Sequence, residues 1–176
     1  MSELYDRIVN NRGSFERLIA RIPGFRGYQD KQARRKADEL LREHLAREID
    51  ARLGRLVRIE KLILDNLGME YMPRTRDVKG KIQLFHDRVA TAAPGYSGMW
   101  AQMKIGAEEL ERIYSFDEAQ IVSVEKISIA LDKLEQAALA RSGVEEAIYE
   151  LDTVASEALE AFSLRDEVLT QLGRDI

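Results

Sequence analysis

Hydrophobic residues recur along this chain at steps of three and four, the spacing that places them on one face of an α-helix. Residues 3 to 21 show this spacing, weakened around Asn10 to Gly13, and Pro23 with Gly24 ends the segment. From about 28 to 67 only Gly54 interrupts the helix-forming residues, which predicts one spine helix about 60 Å long. The alternation of period two that marks a half-buried strand is missing. The pattern therefore predicts an all-α fold.

The rest of the chain divides into shorter helical segments. Gly68 stops the spine helix, and a helix is predicted over 74 to 92, after Pro73 in a position that suits a first turn. A further helix is predicted over 98 to 115. Ser115 and Ser142 each precede a glutamate by three residues, as in a capping box. These two signals predict helix starts near 116 and 143, and together the segments predict an elongated bundle of about six helices.

The last helix has the most regular pattern, with apolar residues alternating between steps of four and three. Arg165 is the one polar residue on this face, and Ser163 with Asp166 gives a weak signal for a kink or a restart. Such a heptad pattern is typical of coiled-coil packing and predicts a seam through which two copies could associate. The seam positions are Val144, Ile148, Leu151, Ala155, Phe162 and Leu169.

Composition fits a single domain over 1–176, because 45% of the 176 residues are apolar and 33% are charged. The net charge of −4 is unevenly distributed. Residues 1–88 hold 20 basic against 14 acidic residues, a net +6, whereas residues 89–176 hold 7 against 17, a net −10. Opposite signs of this kind indicate either an anionic partner for the basic half or pairing between the two halves.

The stretch RIPGFRGYQDKQARRK, residues 21 to 36, joins the first helix to the spine. Its Ile-Pro-Gly-apolar start resembles a helix-hairpin-helix DNA-binding element, although Arg26 separates the apolar residue from the second glycine. Several cations lie where a helix N-terminus is already partly positive, which requires an anion nearby. We expect carboxylates of the same fold or of another subunit to supply it, with phosphate or a lipid headgroup as the alternative. The candidate anion-binding residues are Arg26, Lys31, Arg34, Arg35 and Lys36.

No motif for catalysis or for metal binding is found. The chain has no cysteine, which excludes disulfides and thiolate chemistry, and it has neither a nucleophile elbow nor a phosphate-binding loop. A di-iron bundle would need Glu-x-x-His twice, but Leu41 precedes His44 and Gln83 precedes His86 at the required spacing. We therefore predict no metal or cofactor and identify no small-molecule substrate.

These patterns predict a non-catalytic helical bundle that acts through protein–protein contacts, as an assembly or adaptor module that also forms homo-oligomers. The first alternative is a peripheral protein that binds an anionic membrane or nucleic acid through residues 21–36. The second is an enzyme with an unrecognised site between helices. Without a leader pattern, and with no apolar run longer than Ala137 to Ala140, the expected location is the cytoplasm.

Overall fold

The computed structural model describes residues 2–91 and 105–174, and most of these residues are helical. Within these ranges no strand occurs, which confirms the predicted all-α bundle. None of the described helices combines the length and apolarity that crossing a membrane would require. The helices in the described ranges are α1 (Glu3–Val9), α2 (Ser14–Arg21), α3 (Arg34–Leu67), α4 (Met72–Ala90), α5 (Ala107–Ala140) and α6 (Val144–Arg174).

The four long helices form two antiparallel hairpins, α3 with α4 and α5 with α6, each closed by a short turn. The hairpins lie side by side, because α3 also packs on α5 and α4 on α6. Contacts between α3 and α5 pair residue numbers that rise together, so these neighbours are parallel. They include Arg52 Nε to Ser128 Oγ at 3.0 Å and Asn66 Nδ2 to Ala138 O at 3.2 Å.

Apolar residues at steps of three and four line the inside of this bundle, as the pattern predicts. On α3 they are Leu41, Leu45, Ile49, Leu53, Leu56, Ile59 and Ile63. On α4 they are Val78, Ile82, Phe85 and Val89. The short helices α1 and α2 pack on the outer side of α5, and α1 also contacts α6.

The N-terminal region differs from the prediction in two places. The helix predicted over 3 to 21 is divided, because Gly13 takes a left-handed backbone with φ 76° and starts α2 in a new direction. The spine begins at Arg34 rather than near 28, since residues 22–33 form turns and bends. At about 1.5 Å per residue, its 34 residues extend about 50 Å.

The capping signal at Ser115 gave a wrong helix start, whereas the one at Ser142 is confirmed by the start of α6. α5 runs without a break through Ser115, whose Oγ lies within hydrogen-bond distance of Glu111 O at 3.0 Å and of Asn11 O at 3.1 Å. Of the predicted 98 to 115 helix, residues 98–104 lie outside the described residues. α6 also continues through Ser163 without the predicted restart.

Candidate functional site

The corner between α2 and α3 depends on two glycines. Gly24 and Gly27 have φ of 81° and 83°, a backbone conformation that L side chains rarely adopt. At Gly27 a Cβ would lie 2.4 Å from Tyr114 Oη and 2.6 Å from Phe15 Cε2, whereas at Gly24 it would meet no atom within 4 Å. Gly27 is therefore required for packing as well as for the turn.

Aromatic rings fill the inside of this corner. Phe25 and Tyr28 are buried, and their rings meet edge to face at 5.6 Å. Tyr28 stacks on Tyr114 at 5.5 Å, and Phe15 stacks on the same ring at 4.7 Å. The Tyr114 hydroxyl also accepts a hydrogen bond of 2.8 Å from the Tyr28 backbone N–H. The corner is thus fixed on α5 by both apolar and polar contacts.

A polar cluster lies beneath the corner, shielded from water. Arg165, only 1% exposed, donates from Nε to Asp117 Oδ1 at 2.6 Å and from Nη2 to Asp38 Oδ1 at 2.8 Å. The Tyr28 hydroxyl donates to Asp117 Oδ2, and Arg42 Nε donates to Asp38 Oδ2 at 2.8 Å. These residues, which we call the buried polar cluster, join the corner to α3, α5 and α6.

The electrostatics of the cluster follow from its burial. Desolvation raises the pKa of Asp117, while Arg165 and the hydroxyl of Tyr28 oppose this rise. Desolvation, followed by the Asp117 charge, raises the pKa of Tyr28 well above its ordinary value. Because Arg165 and Tyr28 occupy both oxygens of Asp117, the geometry suits an ionised carboxylate. The cluster is therefore a set of mutually satisfied charges.

The structure divides the predicted anion-binding residues into two groups. Arg34 is buried and donates from Nε to Tyr28 O at 2.7 Å, so it closes the corner from within. Lys36 pairs with Glu39 on the same helix at 3.0 Å. The remaining three are exposed, and no ion pair joins them to any part of the chain that the structure describes. They are Arg26, Lys31 and Arg35, and we call them the exposed corner cations.

Carboxylates of the acidic half pair with cations other than the exposed corner cations. Glu145 pairs with Arg74 at 2.7 Å, and Glu150 pairs with Lys133 at 2.7 Å. Glu108 lies 3.6 Å from Arg112 on its own helix. The opposite charges of the two halves do meet elsewhere in the bundle. Such pairs include Arg7 with Glu157, Arg17 with Glu118, Arg21 with Glu125, Arg55 with Asp132, and Lys81 with Asp152.

The heptad seam of α6 is packed inside the chain. Its six predicted positions are all buried, and they belong to the main apolar core. Phe162, for example, meets the Phe85 ring of α4 edge to face at 6.5 Å. Helices of the same chain therefore cover the seam through which the pattern predicts that two copies could associate.

The two histidines have structural contacts. His86 lies 3.0 Å from Asp87 and 3.2 Å from Asp50. His44 is partly buried, and desolvation lowers its pKa. Among the described residues no group of three or more metal-binding side chains occurs.

Sequence reasoning missed the buried polar cluster almost entirely. The one available signal was Arg165, the single polar residue at an apolar position of the heptad. Asp117 lies within a capping box that the fold does not use, and Asp38 resembles an ordinary surface carboxylate in a charged helix. Comparisons of the chain with protein-family models, with curated proteins and with solved structures find no match.

Proposed function

We infer that this chain is a non-catalytic binding protein that acts through protein contacts, and that the exposed corner cations receive an acidic segment of the partner. The observation that carries this inference is the contrast within one short loop. Arg34 points inward and donates to Tyr28 O, while Arg26, Lys31 and Arg35 are exposed and pair with no carboxylate of residues 2–91 or 105–174. Because contacts with the bundle fix the backbone of the corner, these cations can meet an anion without ordering of the loop itself.

Rigidity of the corner supports the same proposal. The backbone is fixed by Gly27 against Tyr114, and the Arg34 to Tyr28 bond closes the loop that carries Lys31. A preorganised surface loses little conformational entropy on binding, which improves affinity for a given set of contacts. Exposed charge pairs are individually weak, so three cations acting together on one segment give modest, salt-sensitive affinity.

The chemistry of the corner favours an acidic protein segment over nucleic acid or membrane. Nucleic-acid-binding domains are generally basic, whereas this chain has a net charge of −4 and an acidic half that would repel a long polyanion. A membrane-binding corner would offer apolar side chains for insertion, but Phe25 and Tyr28 are buried. Three cations are also fewer than the roughly four to eight that lipid-binding basic clusters use.

The buried polar cluster does not support the enzyme alternative. Its carboxylates are held by donors of the same chain, and Asp117 has both oxygens occupied. A general base must lie within hydrogen-bond reach of a substrate proton, and Asp117 is 0% exposed. This arrangement instead suits a role in holding the corner to the bundle.

The test compares two charge-reversal variants. In the first, Arg26, Lys31 and Arg35 are each replaced by Glu. In the matched control, Arg58, Lys61 and Arg76 are each replaced by Glu; these are exposed cations without an ion pair in the described chain, and the change in net charge is identical. Binding of a fluorescent hexaglutamate peptide is measured by anisotropy at low and high salt.

We expect the peptide to bind the wild type and the control variant, to bind more weakly as salt rises, and to lose its binding to the corner variant. Equal loss in both variants would mean that net charge alone is responsible, which contradicts the proposal. If single-stranded DNA or phosphatidylserine vesicles bind more tightly than the peptide, and the corner variant abolishes that binding, the partner is nucleic acid or membrane rather than an acidic segment.

A further inference from the structure

A groove of about 510 Å³ lies between α1, α5 and α6, and it shares no residue with the corner. This volume falls within the roughly 300 to 1,000 Å³ of small-molecule sites. The groove exists because α1 has only seven residues and lies over small side chains of the longer helices. Those small residues are Ser115, Ala119, Ser123 and Ala161.

Five apolar, four neutral polar and three charged residues line the groove, and the charged ones lie together at one end. On α5 its lining runs from Ser115 to Lys126, about 16 Å at 1.5 Å per residue. The apolar part is formed by Leu4, Ile8 and Val122 together with the two alanines. At the Ser115 end, the serine hydroxyl donates to Asn11 O at 3.1 Å and fixes the start of the groove.

The charged end has one more positive than negative group among the lining residues. Arg7 Nη2 lies 3.0 Å from Glu157 Oε1, and Lys126 Nζ lies 3.7 Å from Glu157 Oε2. Two cations therefore share a single carboxylate. A ligand with one negative charge would neutralise the remaining positive charge, and the apolar part of the same ligand would cover the wall of the groove.

We propose that this groove binds a small amphipathic carboxylate, such as a medium-chain fatty acid. Its head lies between Arg7 and Lys126, beside Glu157, and its chain lies against Ile8, Ala119 and Val122. Transfer of the chain from water supplies most of the affinity. The two cations determine the orientation and the preference for an anion.

Decanoate, decan-1-ol and acetate are the probes, and titration calorimetry on the full chain is the measurement. We expect decanoate to bind one to one, decan-1-ol to bind more weakly and acetate not to bind. Lys126→Met should weaken decanoate binding roughly two- to fivefold, in keeping with an exposed charge contact. Lys133→Met is the matched control, because Lys133 lies on the same helix and pairs with Glu150 outside the groove lining.

Two further variants separate binding from a purely structural role. Glu157→Gln removes the competing carboxylate, so decanoate should bind more tightly by a similar factor. Ala119→Trp fills the groove and should weaken binding by at least about tenfold. If Ala119→Trp fails to fold, as judged by circular dichroism, contacts between decanoate and the methyl groups of Ala119 and Val122 in the wild type provide the readout by nuclear Overhauser effects.

The proposal is overturned by any of three results. These results are that decan-1-ol binds no more weakly than decanoate, that Lys126→Met has the same affinity as Lys133→Met, or that the nuclear Overhauser contacts are found on other residues. Tighter binding by Glu157→Gln, together with loss in Lys126→Met alone of the two lysine variants, supports it.

Discussion

Replacement of Arg165 by Met tests whether the buried polar cluster stabilises the fold. Methionine keeps an unbranched side chain of similar reach but removes the donors to Asp117 and Asp38. Both carboxylates are buried, at 0% and 5% exposure, so water cannot replace the lost guanidinium. Removing one partner of a buried ion pair destabilises a protein by about 3 to 5 kcal/mol. This is a large part of the roughly 5 to 15 kcal/mol that holds a typical domain folded.

The control is Arg74→Met, which breaks a pair of similar length on the surface. Arg74 lies 2.7 Å from Glu145, but the two side chains are 55% and 64% exposed. Its loss should lower the free energy of unfolding by no more than about 1 kcal/mol. In a chain of this size, the Arg165 variant should melt about 6 to 20 °C below the wild type, against at most about 4 °C for the control.

Urea unfolding followed by circular dichroism gives the free energies, provided that the slope with urea concentration is unchanged. A second variant that also carries Asp117→Asn identifies the cause of the loss. If an unpaired buried charge is responsible, Arg165→Met with Asp117→Asn should be more stable than the sum of the two single changes by about 0.5 to 3 kcal/mol. Equal losses for Arg165→Met and Arg74→Met, or strict additivity of the double change, would refute this account of the cluster.

Three other perturbations follow from single contacts. Gly27→Ala should destabilise by about 2 to 5 kcal/mol in urea unfolding, since overpacking against Tyr114 adds to backbone strain, whereas Gly24→Ala should show only the strain of about 1 to 2 kcal/mol. Burial would raise the pKa of Glu118, but hydrogen bonds from neighbouring side chains hold it below 4.5. The stability that this carboxylate supplies is therefore present above about pH 4.5 and is lost as the pH falls through the depressed pKa. In acid denaturation, the difference in stability between Glu118→Gln and the wild type should therefore shrink as the pH falls. Ile148→Asp should lower the free energy of unfolding by about 3 kcal/mol or more, because Ile148 is buried within the chain. If the wild type instead sediments as an oligomer and the variant as a folded monomer, the seam contacts a second copy.

The helices could be predicted because their signals are local. Steps of three and four, with Pro73 and Gly68 at the ends, identify α3 and α4 to within a few residues at most boundaries. The capping signal at Ser115 failed because its hydroxyl contacts backbone carbonyls instead of capping a helix. These are Glu111 O, within the same helix, and Asn11 O, in a neighbouring turn. A capping box records a local preference, which tertiary packing can override.

The function of each charge could not be predicted, because it depends on which way the side chain points. Arg34 and Arg35 are neighbours in sequence, yet one closes the corner from within and the other is in solvent. Helical periodicity separates adjacent residues by about 100° and could have suggested that difference. It could not have identified the acceptor, since Tyr28 O is placed by the turn at Gly27, whose backbone conformation no periodic pattern reveals.

The position of the buried polar cluster suggests why the four long helices keep one packing arrangement. Apolar stripes alone permit several pairings of four long helices, because one leucine face packs on another with little discrimination. Arg165 finds both Asp38 and Asp117 only when α6 lies at one height against α3 and α5. A shift by one turn would leave buried charges unpaired, at a penalty of several kcal/mol. The cluster thus favours one packing of the long helices over the others, and through Tyr28 it holds the corner in a fixed position.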